Sequence, residues 1–305
     1  MAVSILQAMF SGLALGSIYA LVALGFNITH NTTKTFNFGQ GEFLVAGAFI
    51  AVSTLLLAGH DFKGSLQQAE VTLARYGLSL IATVVIMGLL GVVVYYAAIR
   101  PFIGQAGLAW VMSTIGFGII IQNIALAIWG PSPMVMPSPL GSEVLRIGGA
   151  GVLPQEILVL CVSIALMLCL DVVMRRTRLG KAVRAVAQSS TAATLMGINV
   201  TAIVVLAFVV SASLAGIAGL LIAPITTASV FMGLTLALKA FSSAIVGGLS
   251  NPRGCMLGGF LLGLIEAMVG LWHAELREIS IFLLIIFVLV LKPEGLLGQR
   301  VVEKV

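Results

Sequence analysis

The sequence predicts an all-α membrane protein, a polytopic bundle of about eight to nine transmembrane segments. Of the 305 residues, 60% are hydrophobic and only 9% are charged, whereas soluble domains carry about 25% charged residues. Several uninterrupted apolar runs reach the ~20 residues that a helix needs to cross the hydrocarbon of a bilayer. Strands of a transmembrane barrel would instead alternate in polarity over ~10 residues. Because only helices and closed barrels satisfy their backbone in lipid, the continuous runs favour a helical bundle.

Nine apolar segments can be placed along the chain, each boundary being set to within a few residues. They cover about 3–26, 38–59, 78–99, 106–130, 154–174, 200–223, 229–250, 254–272 and 279–292. The ninth is short for a full crossing, so we expect a partial or interfacial helix unless its polar flanks contribute. Gly12, Gly16 and Gly25 interrupt the first segment and leave open a broken or re-entrant path. We assign residues 1–305 to a single transmembrane domain.

Positively charged residues set the orientation of the predicted helices. The stretch RRTRLGKAVR holds five Lys and Arg residues within residues 175–184. If that loop is cytoplasmic and the segments alternate, eleven of the 16 basic residues lie inside and four lie outside. This asymmetry predicts an external N-terminus and an internal C-terminus. Trp110 would then lie near the inner interface, and Trp129 and Trp272 near the outer one, as aromatic anchors.

The sequence lacks the motifs of common enzyme classes. It contains no G-x-x-x-x-G-K-[ST] phosphate loop, H-E-x-x-H, G-x-S-x-G or paired C-x-x-C. Its three histidines are scattered over different loops, and its three cysteines lack metal-ligand spacing. The net charge of +5 follows the membrane topology and does not indicate nucleic acid. We therefore expect no enzymatic activity, no metal ion, no cofactor and no nucleic-acid partner.

Two ionisable residues fall inside predicted membrane segments. Lys239 lies near the middle of the seventh segment, and Glu266 towards the outer half of the eighth. A lysine at the centre of a bilayer costs roughly 2.5–3.5 kcal/mol on insertion scales, so it needs a partner or a water-filled cavity. Adjacent antiparallel segments would bring the two side chains within reach. The pair is either structural or part of a substrate route, whereas Glu156 and Asp171, near segment ends, need no such role.

The stretch NTTKTFNFGQGEF concentrates polar side chains at the start of the second segment. Asn37 and Gln40 have the spacing of a capping box, in which Asn37 accepts from free N–H groups and Gln40 reaches back. Glu42 falls in the first turn, where a carboxylate favours the positive end of the helix. Capping does not require Gly39 and Gly41, each of which costs about 1 kcal/mol relative to alanine. They indicate close packing or a hinge beside an inner gate, with Glu42 facing the pathway.

Small residues at helical spacing predict closely packed helices. Gly12 and Gly16 form a small-xxx-small face, which lets helix backbones approach closely. In IVGGLSNPRGCMLGG, glycines surround Asn251 and Pro252, and the restriction on the residue before proline predicts a tight turn. These glycines are either packing positions or hinges for alternating access.

The outer loop GPSPMVMPSPLGSEVLRIGGAGVLPQ cannot be regular helix throughout, because it is rich in Pro and Gly. It is either a plain connector or a contact for an extracytoplasmic partner.

A short helix is predicted in the long basic loop after the fifth segment. Ser189, Ser190 and Thr191 are candidate caps for the apolar run Ala192 to Met196. Gly197 then stands where a helix ends. A short helix held parallel to the membrane is a feature that a cytoplasmic partner can grip. The alternative is a basic interfacial helix on anionic lipid.

This loop also carries a resemblance to a known family. Thr191, Ala192 and Ala193, followed by Gly197, have the spacing of the E-A-A-x-x-x-G coupling motif of ABC importer permeases, with Thr191 in place of Glu. The wider sequence resembles the branched-chain amino acid ABC permeases, specifically the first of their two paralogous membrane subunits. Matching stretches include GLALGSIYALVALGF, NFGQGEF, LAGIAGLL and GGLSNPRGCMLGG. They extend over residues 13–295, most of the chain.

The resemblance implies a transport subunit without ATPase activity, in the inner (plasma) membrane of a bacterium. Its partners would be a second permease subunit, two ATP-binding subunits and a periplasmic substrate-binding protein. The substrate would be Leu, Ile or Val, or another small polar solute such as urea or an amide. The alternative is a self-sufficient secondary transporter or channel, with Lys239 and Glu266 as its working charges.

Two sets of site residues follow. A coupling segment at about 175–199 would contact the ATPase through Ser189, Ser190, Thr191, Ala192, Ala193 and Gly197. The candidate residues of the pathway or gate are Asn37, Gly39, Gln40, Gly41, Glu42, Lys239 and Glu266.

Overall fold

The computed structural model describes residues 1–57, 71–102, 109–141 and 143–298. Within these ranges the chain forms eleven α-helices and one small β-hairpin. Seven helices are long and apolar enough to cross a membrane, and an eighth apolar helix is shorter. The polytopic all-α architecture is therefore confirmed. The end of the second predicted segment, the start of the fourth, and Lys63, Arg300 and Lys304 lie outside the described residues.

The elements follow one another in a simple order. The helices are α1 (Ala2–Thr33), α2 (Gln40–Leu57), α3 (Leu73–Val94), α4 (Ala109–Trp129), α5 (Pro154–Arg176), α6 (Arg178–Gln188), α7 (Ser190–Leu195), α8 (Val200–Ile222), α9 (Met232–Gly247), α10 (Pro252–Trp272) and α11 (Arg277–Leu291). The strands β1 (Leu145–Ile147) and β2 (Ala150–Val152) precede α5. A π-helical turn and a 3₁₀ turn prolong α3 to Phe102, and a 3₁₀ turn precedes α11. The predicted segments correspond to α1–α5 and α8–α11, and α6 and α7 occupy the basic loop.

The central helix of the bundle is α1, which packs against α5, α8, α9 and α10. It is continuous, so the break considered at its glycines does not occur. A Cβ added at Gly12 would lie 2.8 Å from the Gly263 carbonyl oxygen, and one at Gly16 would lie 2.7 Å from the Gly259 carbonyl oxygen. The glycines therefore serve helix packing, because they allow the backbones of α1 and α10 to touch.

Contacts between loops divide the helix ends into two faces. On one face, the Arg253 guanidinium at the start of α10 binds Asp171 near the end of α5 at 2.8 Å; we name this the α6–α7 face. On the opposite face, Met134 and Ala228 form an isolated β-bridge between two loops; we name this the hairpin face. The two contacts place the two ends of α5 on opposite faces, as expected for a membrane-crossing helix.

The loop between α4 and α5 contains a β-hairpin that the sequence analysis did not predict. Ile147 pairs with Ala150 across the turn. Gly148 and Gly149 between them have φ angles of 60° and 87°, and a type I′ hairpin turn requires positive φ at both central residues. Val152 is fully buried, and β2 packs against α1. The loop between α4 and α5 is therefore attached to the central helix.

The tight turn predicted between α9 and α10 is confirmed. The Asn251 side chain accepts a hydrogen bond from the Arg253 N–H at 3.1 Å and begins α10. Pro252 occupies the first helical position, where its missing N–H has no cost. Gly248 ends α9 with a φ of 102°.

Candidate functional site

The short helix α7 lies on the α6–α7 face and begins at a side-chain cap. The Ser189 hydroxyl accepts a hydrogen bond from the Ala192 N–H at 3.2 Å, which satisfies one of the free donors of a helix start. Of the three predicted caps only Ser189 has this role, since Ser190 and Thr191 are already helical. The helix therefore starts earlier than the predicted apolar run.

The end of α7 is set by Gly197, as predicted. Its φ of 81° lies in the left-handed region, where glycine has no Cβ penalty. The Gly197 N–H donates to the Thr194 carbonyl at 2.9 Å, and the Ile198 N–H donates to the Ala193 carbonyl at 3.0 Å. These two bonds form a Schellman motif, so both ends of α7 are fixed by hydrogen bonds.

The residues of α7 divide into an anchoring set and a projecting set. Ala193 is only 2% exposed and packs with Val183 and Ile203, which attaches α7 to α6 and α8. Leu195 is 85% exposed and Met196 is 82% exposed. Ala193 was predicted as a contact residue, whereas Leu195 and Met196 were not. The one signal in the sequence for their exposure is that they follow the anchoring Ala193 by two and three positions.

The start of α2 lies deep in the bundle instead of at the membrane surface. A Cβ added at Gly41 would overlap the Gly233 carbonyl and lie 2.8 Å from the Ala237 Cβ. Ala237 lies ten residues before the end of α9 at Gly247, which corresponds to a helical rise of about 15 Å. The start of α2 is therefore about 15 Å away from that end of α9. Residues 34–39 are non-helical and return into the bundle. Irregular backbone at membrane depth is tolerated only where protein or a cavity surrounds it.

The predicted capping box is half right. The Asn37 side-chain oxygen accepts from the Gly39 N–H at 3.1 Å. Gln40 does reach back to Asn37, but its Oε1 accepts from the Asn37 side-chain amide at 3.4 Å and not from the backbone N–H that a capping box uses. The Gln40 side chain also donates to the Ser211 carbonyl of α8 at 3.2 Å and accepts from the Ser211 hydroxyl at 3.1 Å. Gly25 of α1 makes room for this amide, since a Cβ there would overlap it. Gln40 therefore links α2 to α8 through buried polar groups.

Glu42 lies in the first turn of α2, as predicted. Its carboxylate borders two glycines: a Cβ added at Gly233 would lie 3.1 Å from Glu42 Oε1, and one at Gly118 would lie 3.4 Å from Glu42 Cγ. Among the described residues, the buried Glu42 Oε2 has no hydrogen-bond partner. A Cβ at Gly39 would lie 3.1 Å from the Thr114 carbonyl of α4. Both predicted glycines are thus close-packing positions.

Lys239 and Glu266 meet inside the bundle, and the predicted pair is confirmed as a contact. The Lys239 ammonium lies 2.6 Å from Glu266 Oε1, with side chains 13% and 8% exposed. The Tyr19 hydroxyl of α1 donates to Glu266 Oε2 at 2.8 Å. Tyr19 was not predicted as part of this cluster, because nothing in its local pattern distinguishes it from an apolar core residue. The cluster joins α1, α9 and α10.

Glu266 also lines a cavity of about 440 Å³ between α1, α5 and α10. Other polar groups of this cavity come from Ser4, Gln7, Ser11, Glu156 and Arg277. Since Glu156 and Arg277 belong to the helix starts of α5 and α11, the cavity lies towards the hairpin face. We name it the α1–α5–α10 cavity.

Comparison with known proteins decides the family. Residues 8–291 match the family model described as "Branched-chain amino acid transport system / permease component". The chain belongs to this family. As a transport permease it is not an enzyme.

Relatives of this permease match it over nearly its whole length. It is 32% identical over 309 residues to the high-affinity branched-chain amino acid transport system permease protein BraD of Pseudomonas aeruginosa, covering 98% of each chain. It is 30% identical over 310 residues to the corresponding protein LivH of Escherichia coli K12, covering 98% of this chain and 97% of LivH. A probable LivH of Methanocaldococcus jannaschii is 25% identical, with 92% and 89% covered.

Among solved structures, the permease is similar to PsaBC from Streptococcus pneumoniae in complex with Fab. The TM-score is 0.47 and the sequence identity 13%, with 93% of this chain and 89% of that chain covered.

The predicted site residues of the permease fall into three groups. The coupling residues lie on α7, the group from Asn37 to Glu42 opens α2, and the charged pair joins α9 to α10. The last two groups are linked, because α2 and α9 pack together at Gly41 and Gly233. The coupling group is connected to them through α8, which contacts α7 as well as α2.

Aromatic rings surround the non-helical return before α2, a feature that the sequence analysis missed. Phe36 stacks on His30 at 4.5 Å and meets Phe241 edge-on at 5.3 Å, measured between ring centroids. Phe38 stacks on Trp110 of α4 at 6.4 Å. These rings lie between the α6–α7 face and the buried start of α2, and they bring α1, α4 and α9 together.

Proposed function

We propose that this permease is a membrane-spanning subunit of an ABC importer that moves branched-chain amino acids across the inner membrane of a bacterium. The support is the full-length similarity to BraD and LivH, which are named as branched-chain amino acid transport permeases. In the importer the chain pairs with a second, paralogous permease subunit. Two ATP-binding subunits drive it, and a periplasmic binding protein delivers the substrate.

The observation that carries the coupling proposal is the form of α7. Its two ends are closed by hydrogen bonds, and Ala193 anchors it to α6 and α8. Leu195 and Met196 project from this rigid base, and exposed apolar side chains beside a polar rim are typical of a partner contact. An ATP-binding subunit that grips Leu195 and Met196 therefore moves α8 as well.

Movement of α8 reaches the proposed inner gate through Gln40. The paired hydrogen bonds between Gln40 and Ser211 tie the start of α2 to the middle of α8. Glu42 and the rings around Phe38 then shift with α2. In this proposal Asn37, Gly39, Gln40, Gly41 and Glu42 form the gate. Lys239 and Glu266 border the route from α9 and α10.

The orientation is proposed from the charges. Most of the basic residues lie on the α6–α7 face, where Arg175 and Arg253 also pair with Asp171. The positive-inside rule places this face in the cytoplasm. The hairpin face and the N-terminus then lie in the periplasm, and the C-terminus lies in the cytoplasm.

The test is uptake by the reconstituted complex. Proteoliposomes that contain both permease subunits, the ATP-binding subunits and the binding protein should accumulate Leu, Ile or Val in an ATP-dependent way, and urea should not accumulate. Uptake by this chain alone would instead favour a secondary transporter or channel. Complete complexes without ATP-dependent amino acid uptake would overturn the proposal.

Cysteine crosslinking tests the coupling contact separately. Leu195→Cys, in a background without Cys161, Cys169 and Cys255, should crosslink to an ATP-binding subunit. Leu195 is chosen because Ala193 is buried. Leu140→Cys is the matched control, since it is exposed on the hairpin face. An active complex without a Leu195 crosslink rules out this assignment of α7.

A further inference from the structure

The α1–α5–α10 cavity contains a carboxylate, Glu156, that is held by neutral hydrogen-bond donors. Glu156, on the first turn of α5, is buried apart from the cavity. Its Oε1 accepts from the Ser11 hydroxyl at 2.6 Å, and its Oε2 accepts from the Leu153 N–H at 3.2 Å. Within the described residues, Glu156 forms no ion pair. These two neutral donors hold the carboxylate in one orientation and leave its charge unbalanced.

The same cavity contains a cation, Arg277, that has no acidic partner within 4.0 Å among the described residues. Arg277 begins α11 and lines the cavity together with Gly270 of α10. A Cβ added at Gly270 would overlap the Arg277 guanidinium, so the side chain lies directly on the backbone of α10. No ion pair to Arg277 is formed by the part of the chain that the structure describes. Its neighbour Glu278 is one position away, where helical side chains do not face each other.

The third charged group of the cavity is already balanced. Glu266 is paired with Lys239 and accepts from Tyr19, so this wall has no net charge. The cavity therefore presents one unbalanced carboxylate and one unbalanced guanidinium. The remaining lining includes aliphatic side chains such as Leu15, Ile225 and Leu271. A volume of about 440 Å³ lies in the range of small-molecule sites, roughly 300–1,000 Å³.

We propose that the α1–α5–α10 cavity is a binding site for a zwitterionic α-amino acid with an aliphatic side chain. Glu156 receives the substrate ammonium group, and Arg277 receives the substrate carboxylate through its two-pronged donor set. Leu15, Ile225 and Leu271 contact the aliphatic side chain. This inference rests on the proposed function and deepens it, because it assigns a substrate site within one permease subunit on the hairpin face, where a binding protein would release its cargo.

The chemistry predicts which ligands the site rejects. Charge-assisted hydrogen bonds are roughly twice as strong as neutral ones, and a buried charge that loses its partner is costly. A ligand without an ammonium group leaves Glu156 unbalanced, and a ligand without a carboxylate leaves Arg277 unbalanced. Each should therefore bind at least tenfold more weakly than leucine.

The test uses photo-leucine, a diazirine analogue of leucine, on the intact transporter complex in nanodiscs without the binding protein. Irradiation followed by peptide mass spectrometry should place the label on α1, α5 or α10 residues of the cavity. Leucine should compete with labelling. Both 4-methylpentanoate, which lacks the amine, and 3-methylbutylamine, which lacks the carboxylate, should compete at least tenfold less well.

Two variants identify the roles of the charged residues. Glu156→Gln retains an acceptor for Ser11 and should reduce the preference for leucine over 4-methylpentanoate. Arg277→Gln should reduce the preference for leucine over 3-methylbutylamine. These ratios do not depend on how much complex folds, so a poorly folding variant remains informative. Glu275→Gln and Arg146→Gln are the controls, because both residues are exposed and lie outside the cavity lining.

The outcomes separate this inference from the proposed function. ATP-dependent leucine uptake by the wild type, together with label elsewhere or with unchanged ratios in both variants, overturns the site and leaves the importer intact. Equal competition by all three ligands also overturns it. Absence of leucine uptake by the complete wild-type complex overturns the proposed function instead.

Discussion

Lys239 and Glu266 form an ion pair of 2.6 Å between α9 and α10, and Tyr19 of α1 donates to the second carboxylate oxygen at 2.8 Å. Removing the lysine leaves a carboxylate buried without its counter-charge, which in protein interiors costs about 3–5 kcal/mol. We therefore expect Lys239→Met to lower the thermal stability of the purified complex. The double variant Lys239→Met/Glu266→Leu should recover most of it, because replacing a whole buried pair by apolar residues is often neutral.

Transport assays on the same variants distinguish a purely structural role of the ion pair from a role in translocation. If the double variant is stable but inactive in proteoliposome uptake, the charges take part in translocation. Normal uptake by a normally folded Lys239→Met complex would remove Lys239 from the mechanism.

The contact between α1 and α10 predicts a strong effect of one methyl group. A Cβ at Gly16 would lie 2.7 Å from the Gly259 carbonyl, and overpacking of this kind costs typically about 1–3 kcal/mol. Gly16→Ala should thus lower the melting temperature of the complex in detergent. Gly116→Ala is the matched control, since nothing lies within 4 Å of an added Cβ there. Equal melting temperatures for both variants would contradict the close contact.

The two glycines at the start of α2 should differ in their sensitivity. An alanine at Gly41 overlaps the backbone of Gly233, whereas one at Gly39 is only tight, at 3.1 Å from the Thr114 carbonyl. We expect Gly41→Ala to slow ATP-dependent uptake more than Gly39→Ala, with both variants assembling into complexes. Gly77→Ala, with open space around it, is the control. Unchanged uptake in Gly41→Ala would leave these residues with a capping role alone.

The exposed end of α7 should couple ATP hydrolysis to transport. Leu195→Ser/Met196→Ser removes apolar surface that the permease itself does not bury, so the stability of the chain should change little. ATP-driven uptake should fall severalfold, with weaker binding of the ATP-binding subunits in pull-down experiments. Leu179→Ser, exposed on the neighbouring α6, provides the comparison. Identical uptake in both variants would argue against a contact at Leu195 and Met196.

A further prediction concerns Gly197, the residue that ends α7. Gly197 adopts a φ of 81°, and the left-handed region costs a residue with a Cβ roughly 1–2 kcal/mol. Gly197→Val should unravel the end of α7 and weaken coupling, whereas Gly197→Asn should be tolerated, because asparagine is the best substitute at this position. Uptake measured with both variants checks this, and equal activity would show that the Schellman ending is dispensable.

Local patterns in the sequence predicted the features that depend on residues close together along the chain. The cost of Lys239 in lipid required a partner, and Gly197 required a helix end, so both were foreseen. Gln40 was assigned a local cap, yet it bonds to Ser211, 171 positions away. Glu156 was dismissed because a carboxylate at a helix start has a sufficient local explanation. Its place in the same cavity as Arg277 depends on how distant helices meet, which no periodicity in one chain specifies.

The glycine face of α1 has a consequence for the biosynthesis of the chain. This helix is made before α10, but its most extensive packing is against α10, and the hydroxyl of Tyr19 bonds to a residue 247 positions later. Until the ribosome has made α10, the groove at Gly12 and Gly16 has no native helix to fill it. Assembly of the bundle is therefore a late event, in keeping with helices that insert individually and associate afterwards. A chain that stops before Pro252 leaves its first helix permanently unpaired along this groove.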